Sequence, residues 1–186
     1  MKFCKKIILT VVFCVATSFI LVGCSSSNLT SLKVGASPSP HAEILRQVQP
    51  ILEKEGIQLE IVEFTDYVLP NRALENDEIE ANFFQHQPYL DDFNAKNGTS
   101  LVSVGTVHFE PLGIYPGKSS DLSSIPSGAK ISVPNDSTNE ARALLLLEKN
   151  GILTLREGVG LSATVKDIVE NPYHVEIVEI DAASLA

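Results

Sequence analysis

A strand, a polar loop and the start of a helix are predicted by one segment of the chain, Ile131-Ser132-Val133-Pro134-Asn135-Asp136-Ser137-Thr138-Asn139-Glu140-Ala141-Arg142. Ser137 and Glu140 have the S-x-x-E spacing of a capping box. Exposed backbone amides and the positive end of the helix dipole favour an anion at such a start. Asn139 and Arg142 are three residues apart and share a helix face. We therefore expect these two side chains to bind a small anionic group, since arginine holds a carboxylate through two parallel hydrogen bonds; the alternative is a capped helix with a solvated arginine.

Strand and helix patterns alternate on both sides of this segment. The predicted strands are 32–36, 57–64, 79–84, 101–107, 129–133 and 175–180, and the predicted helices are 44–52, 70–76, 87–96, 139–149 and 164–169. Such alternation predicts an α/β fold with a mostly parallel sheet. The run Pro116-Gly117-Lys118-Ser119-Ser120 interrupts the pattern. We therefore expect two lobes, 32–115 and 116–186, with a cleft between them.

A second informative stretch, 81–90, places four ring side chains within seven residues. Phe84, His86 and Tyr89 lie where a strand is expected to end and a helix to begin, and Tyr67 follows the preceding strand. We expect these four residues to line a small, half-apolar pocket, because aromatic rings pack well against alkyl and thioether groups. The alternative places Phe84 in the core and His86 on the surface.

The beginning of the chain has the composition of a secretory signal: a basic start without acidic residues, then an apolar stretch at 7–22. This stretch is short for a membrane span, which needs about 20 residues. It ends in Leu21-Val22-Gly23-Cys24, which resembles the bacterial lipobox. The resemblance implies a signal peptide at 1–23, cleavage before Cys24 and a lipid on Cys24; the alternative is an ordinary signal peptide with a cysteine near its end. Residues 24–31, rich in serine and asparagine, are expected to form a flexible tether.

The cysteines and the charge limit what the mature protein can be. The chain has three cysteines, Cys4, Cys14 and Cys24, so the mature domain would have no disulfide and must rely on its core. The net charge is −9, and it becomes more negative once the signal's three lysines are removed. This acidity excludes a basic surface for nucleic acid or for anionic lipid, so we expect the lipid on Cys24 to hold the protein at the membrane.

Enzyme motifs are absent from the sequence. It contains no G-x-S-x-G elbow, no P-loop and no G-x-G-x-x-G. Its histidines, His41, His86, His108 and His174, form no H-x-H or H-x-x-H pair that would begin a metal site. We therefore expect no enzymatic activity, no cofactor and no metal.

Several ordered motifs together resemble the NlpA family of methionine-binding lipoproteins, and the similarity runs from about Leu32 to Leu185. They are Asp66-Tyr67-Val68-x-Pro70-Asn71, Phe84-Gln85-His86-x-Pro88-Tyr89-Leu90, Val107-His108-Phe109-Glu110-Pro111-Leu112-Gly113-Ile114-Tyr115, Pro134-Asn135-Asp136-x-x-Asn139-x-x-Arg142-Ala143-Leu144 and Thr164-Val165-Lys166-Asp167-Ile168-Val169-Glu170-Asn171-Pro172. The resemblance implies a two-lobed, type II-like periplasmic-binding-protein fold. It also implies a lipid-anchored protein on the extracytoplasmic face of a bacterial membrane that delivers L- or D-methionine, or a similar amino acid, to the membrane subunits of an ABC importer.

The resemblance also implies a role for each candidate residue. Asn139 and Arg142 match the positions that hold the carboxylate of the amino acid. The positions that line the side-chain pocket are matched by Tyr67, Phe84, His86 and Tyr89, and Glu110 matches a structural position near the lobe crossing. Members of the family continue well past the point that matches Ala186, so we expect an incomplete second lobe and weaker methionine binding than in a longer relative. Two alternative functions are a surface adhesin or antigen and a non-functional fragment.

Replacing the lipobox cysteine tests the predicted anchor. We expect Cys24→Ala to move the protein out of the membrane fraction or to stall its processing, because the thiol that accepts the lipid is gone. Membrane fractionation and the mass of the N-terminal peptide measure both effects. Cys14→Ala, inside the signal, is the matched control and should leave the anchor intact. An unmodified N-terminus on the mature wild-type protein would contradict the prediction.

Overall fold

The computed structural model describes residues 29–119 and 121–185. The predicted signal at 1–23 and the predicted lipid site Cys24 lie outside the described residues. The strands are β1 (Thr30–Ala36), β2 (Ile57–Glu63), β3 (Ala81–Phe83), β4 (Lys130–Pro134), β5 (Thr154–Leu155), β6 (Ile168–Glu170) and β7 (Glu176–Ile180). The α-helices are α1 (Glu43–Lys54), α2 (Leu69–Glu75), α3 (Gln87–Asn97) and α4 (Ser137–Lys149). Short helical turns occur at Pro38–Ala42, Leu122–Ser124, Gly160–Ser162, Val165–Asp167 and Ala182–Ser184. The α/β class predicted from the sequence is confirmed.

The first sheet has the order β2-β1-β3, and all its strands are parallel. Its central strand is buried at its carboxyl end, where Gly35 lies against the side chains of Phe64 and Ile79. A Cβ atom at Gly35 would come within 2.7 Å of Ile79 and 2.9 Å of Phe64, so only glycine permits this approach. The parallel strands end at the same edge, where the chain turns towards the aromatic stretch 84–89.

A second parallel sheet is formed by β4 and β7, and β5 and β6 form a separate antiparallel pair. The largest buried cluster surrounds α4, which contributes Leu144 and Leu147 from its inward face. Ile152 and Leu153, which follow the helix, and Val133 of β4 complete its centre. Burial of apolar side chains at helical spacing therefore holds α4 against this sheet.

The predicted strand 101–107 is wrong. These residues are irregular, and the side chains of Val102 and Val104 are 77% and 95% exposed. A strand requires a neighbour for its backbone groups, and no strand among residues 29–119 and 121–185 pairs with this segment. Alternating valines favour an extended backbone but cannot supply the partner strand. The predicted strand 79–84 is likewise shorter, and only Ala81–Phe83 pairs with β1.

The predicted helix 164–169 is also wrong. Thr164 and Asp167 form a capping box, in which Asp167 Oδ2 accepts hydrogen bonds from the Thr164 backbone N–H (2.9 Å) and hydroxyl (3.0 Å). The helix lasts one turn, because the chain then extends into β6 and pairs with β5.

At the other end of the described chain, Thr30 and Ser31 already pair with β2, so β1 begins inside the predicted tether 24–31.

Truncating the most buried leucine of α4 tests the core. Leu144 is fully buried, and Leu144→Ala should reduce the free energy of unfolding by about 2–5 kcal/mol, since it removes apolar contacts and leaves a cavity. Urea denaturation measures the loss. Leu161→Ala is the control, because Leu161 is 50% exposed and should change stability by less than about 0.5 kcal/mol. Equal losses in the two variants would contradict this description of the core.

Candidate ligand-binding site

The start of α4 is capped by Asp136. Its Oδ1 atom accepts hydrogen bonds from the backbone N–H of Asn139 (3.0 Å) and from the Asn139 side-chain amide (3.0 Å). The predicted capping box of Ser137 and Glu140 is therefore wrong, and the helix begins two residues before the predicted Asn139. Ser137 donates instead to Asp92 of α3 (2.9 Å), and Glu140 accepts from the backbone N–H of Val165 (3.0 Å). Because the Asp136 carboxylate already occupies the first turn, an incoming anion must be bound by side chains rather than by the amides of the helix start.

Asn139 connects the two parts of the predicted site. Its Oδ1 atom accepts from Arg142 Nη1 (2.7 Å) and lies 2.9 Å from Nε2 of His86. Nδ1 of His86 accepts the backbone N–H of Tyr89 (3.0 Å) and thereby caps α3. The neutral ring therefore carries its proton on Nε2 and donates to Asn139. Arg142 also donates from Nη2 to the backbone carbonyl of Glu110 (3.2 Å).

The aromatic residues predicted for the pocket form one cluster. The ring centroids of Tyr67 and Phe84 are 5.7 Å apart, those of Phe84 and Tyr89 are 5.9 Å apart, and those of Tyr67 and Tyr89 are 6.3 Å apart. Phe84 and Tyr89 are each 8% exposed and pack on Phe93, whereas Tyr67 and His86 are half-buried. The accessible faces of this cluster therefore belong to Tyr67 and His86, with the other two rings behind them.

Both tyrosines of the cluster remain protonated at neutral pH. Burial raises the pKa of Tyr67 and of Tyr89 above the usual value, and nearby carboxylates raise each pKa further. The hydroxyl of Tyr89 donates to the backbone carbonyl of Tyr67 (2.7 Å). This bond fixes the turn that carries Tyr67 against α3.

A buried amide network supports the turn between β3 and α3, and the sequence analysis did not identify it. Asn71 of α2 is fully buried. Its side chain exchanges two hydrogen bonds with Gln85, at 2.9 and 2.8 Å, and accepts one from Asn82 at 2.8 Å. The network holds Gln85 and therefore fixes the position of His86, the next residue. Only the match of Asn71 and Gln85 to the family motifs pointed to these residues.

Arg142 also lines an open groove of about 370 Å³. Its lining residues are Phe109, Pro111, Leu112, Arg142, Leu145, Leu146 and Lys149. Of the six residues predicted to bind ligand, only Arg142 lines this groove. The structure thus joins all six residues through the contact between His86 and Asn139, and Arg142 is the one of the six that also lines the groove.

A third group of side chains was missed from the sequence. Nε2 of His108 lies 2.7 Å from Oε1 of Glu110, and Nε2 of His41 lies 3.5 Å from the same oxygen. Burial lowers the pKa of His41, although Glu110 opposes this shift. The sequence contained one signal for the contact of His108 with Glu110, namely their spacing, because alternate residues of an extended segment lie on one face. The approach of His41, from a distant part of the chain, had no signal in the sequence.

The fold and this site define an α/β protein of the periplasmic-binding type, with candidate ligand groups where β3 and β4 end. Within the described part of the chain, no helix is both long enough and apolar enough to cross a membrane. The chain belongs to the NlpA lipoprotein family, whose model matches residues 32–186.

Individual relatives agree with this assignment. A relative from Vibrio cholerae serotype O1, named as a probable D-methionine-binding lipoprotein MetQ, is 44% identical over an alignment of 188 positions, which covers 100% of this chain and 70% of the relative. A lipoprotein of Ruminococcus gnavus is 60% identical with a TM-score of 0.79, over 82% of this chain and 63% of that one. A nutrient-binding protein of Burkholderia cenocepacia, solved bound to methionine, is 46% identical with a TM-score of 0.78, over 81% of this chain and 64% of that one. The chain thus spans between 63% and 70% of the length of these relatives.

Removing the cap of α4 tests how the site is held. Asp136→Ala should reduce the free energy of unfolding by about 0.5–2 kcal/mol, because the N–H of Asn139 loses its acceptor. Asp136→Asn is the matched control and should retain most of the stability, since asparagine caps helices equally well. Chemical denaturation of both variants measures the difference. If the alanine variant is as stable as the asparagine variant, the cap does not hold this helix start.

Proposed function

We propose that this chain is a lipid-anchored, extracytoplasmic solute-binding protein that captures methionine, or a close analogue, and delivers it to an ABC importer. One observation carries the proposal: His86, Asn139 and Arg142 form a continuous hydrogen-bonded row that joins an aromatic cluster to a cationic group. An amino acid with an apolar side chain needs both features close together. The names of the Vibrio cholerae and Burkholderia cenocepacia relatives support methionine as the ligand.

Arg142 is the proposed anchor for the carboxylate of the amino acid. Arg142 is half-buried, and its guanidinium is held by two neutral acceptors, the Asn139 side-chain oxygen and the Glu110 carbonyl. Among the described residues no carboxylate pairs with it. Its positive charge is therefore oriented but not neutralised, and the planar guanidinium suits a carboxylate. Asn139 would position Arg142 and contact the ligand beside it.

The aromatic cluster is the proposed site for the side chain of the ligand. Tyr67 and His86 would form its accessible wall, and Phe84 and Tyr89 would form its rigid base. A thioether is polarizable and makes favourable contacts with aromatic rings, worth about 0.3–1.5 kcal/mol each. This chemistry distinguishes methionine from a purely polar amino acid, but not the L from the D form.

The proposed organisation of the whole protein rests on the assignment of the chain to the NlpA lipoprotein family. Residues 1–23 would be the signal peptide, Cys24 the lipidated residue, 32–115 the first lobe and 116–186 the part of the second lobe that this chain contains. We infer binding rather than catalysis, because the relatives are named for binding. The importer's membrane subunits are the proposed partner, since a protein fixed outside the membrane must pass its ligand to a translocating component.

Removing the proposed anchor tests the function. Arg142→Ala should weaken methionine binding by about 2–5 kcal/mol, the range for losing one partner of a buried charge pair. Calorimetric titration of the purified protein with L-methionine and with D-methionine measures the affinity and the stereochemical preference. Arg46→Ala is the matched control, because Arg46 is exposed, pairs with Glu63 of β2 and is not one of the six residues predicted to bind ligand.

Two results would contradict the proposal. The first is wild-type protein that binds neither stereoisomer saturably, which would favour a surface adhesin or a non-functional fragment. The second is unchanged affinity in Arg142→Ala, which would move the carboxylate site elsewhere. Unfolding curves of each variant separate lost binding from lost folding.

A further inference from the structure

We propose that His41, His108 and Glu110 form a binding site for a divalent transition-metal ion of the Zn²⁺ type. One ligand atom from each residue lies within 4.8 Å of the other two. Two imidazole nitrogens and one carboxylate oxygen are a donor set that suits zinc, cobalt or nickel rather than magnesium or calcium. This site goes beyond the proposed capture of an amino acid and is independent of it.

The distances are close to those that a metal ion requires. Zinc bonds to nitrogen and oxygen of about 2.0–2.2 Å in a tetrahedron place neighbouring ligand atoms about 3.4 Å apart. The separation of His41 Nε2 and Glu110 Oε1 is 3.5 Å. His108 Nε2 lies 2.7 Å from the same oxygen, so these two atoms must move apart by less than an ångström. The ligand nitrogens of the two histidines lie within 4.8 Å of each other, and their separation must also adjust to the tetrahedral spacing. His108 and Glu110 lie on the irregular segment between α3 and β4, where such a movement breaks no strand or helix.

The orientation of His41 is set by a buried serine. Ser37 Oγ lies 2.6 Å from Nδ1 of His41, and both residues are buried. The same hydroxyl is directed towards the carbonyl of Ser39 at 3.4 Å, and its lone pair is therefore available to accept the Nδ1 proton of His41. This tautomer leaves the lone pair of Nε2 facing the Glu110 carboxylate. Two electron-rich atoms directed at each other attract a cation, and a histidine that donates its other N–H is the usual arrangement in metal sites.

The surroundings of the proposed metal site hold the imidazole rings of His41 and His108 in place and leave the site accessible from solvent. The Phe83 ring meets His41 and His108 edge to face, at centroid distances of 4.6 and 5.6 Å. The side chains of His108 and Glu110 are 29% and 49% exposed. An ion can thus enter from solvent, and with three protein ligands its fourth position is open to water.

The proposed ion would also adjoin the amino-acid site. Glu110 offers its side chain to the metal, and its backbone carbonyl accepts a hydrogen bond from Arg142. Fixing the Glu110 side chain would restrict the segment that holds Arg142 in place. The two sites nevertheless use different atoms, so each can be tested alone.

Metal titration of the purified protein, without a histidine tag and stripped with a chelator, tests the site. We expect one Zn²⁺ per chain by calorimetry, and a visible absorption band from Co²⁺ in the same site. His108→Ala and Glu110→Gln should each weaken Zn²⁺ binding at least about tenfold, since even second-shell changes cost about 10–100-fold. Ser37→Ala should weaken it through the orientation of His41. His174→Asn is the matched control, because His174 is exposed, lies before β7, and has a positive φ that asparagine tolerates.

Two results would overturn the proposal. One is the absence of stoichiometric Zn²⁺ binding to the wild-type chain. The other is binding that persists unchanged in both His108→Ala and Glu110→Gln, which would assign the ion to other residues. These two side chains are partly exposed, and circular dichroism of the metal-free variants verifies that they fold.

Discussion

The side-chain oxygen of Asn139 is the point on which the candidate site depends. It accepts hydrogen bonds from His86, which follows the first sheet, and from Arg142, which lies one turn further along α4. His86 and Asn139 are 53 positions apart in the chain, whereas Asn139 and Arg142 are three positions apart. Because the other atom of the same amide is bound by Asp136, the group cannot rotate away without breaking every contact. One amide therefore sets the relative position of the aromatic cluster and the cationic anchor.

Helix α4 serves the core and the site at once. Its inward face contributes Leu144 and Leu147 to the largest apolar cluster, and its first turns carry Asn139 and Arg142. Burial of the apolar face is non-directional and supplies most of the free energy that holds the helix. The directional hydrogen bonds at its start then fix the orientation of two polar side chains, Asn139 and Arg142, which we propose contact the ligand. The apolar face of α4 therefore supplies stability, and the polar side chains at its start supply the proposed recognition.

The segment that contains Glu110 connects two neighbouring groups of polar side chains. Its backbone carbonyl steadies Arg142, and its carboxylate meets His41 and His108. This part of the chain is irregular, with Val104 and Phe109 strongly exposed, so its position depends on these polar contacts more than on apolar burial. A proposed metal ion and a proposed amino acid would each add contacts to the same segment.

The sequence by itself determined the alternation of strands and helices, the residue types of the candidate site and the family resemblance. These features can be predicted because hydrophobic periodicity, glycines that end helices and ordered motifs are local properties of the sequence. Tertiary structure decided the rest. Asp136 rather than Ser137 caps α4, because Ser137 and Glu140 find partners on α3 and at Val165. Residues 101–107 are not a strand, because pairing needs a neighbour that local pattern cannot supply. His41 reaches Glu110 only through the folding of the first sheet, since contacts between distant residues are set by how whole elements pack and leave no spacing in the sequence.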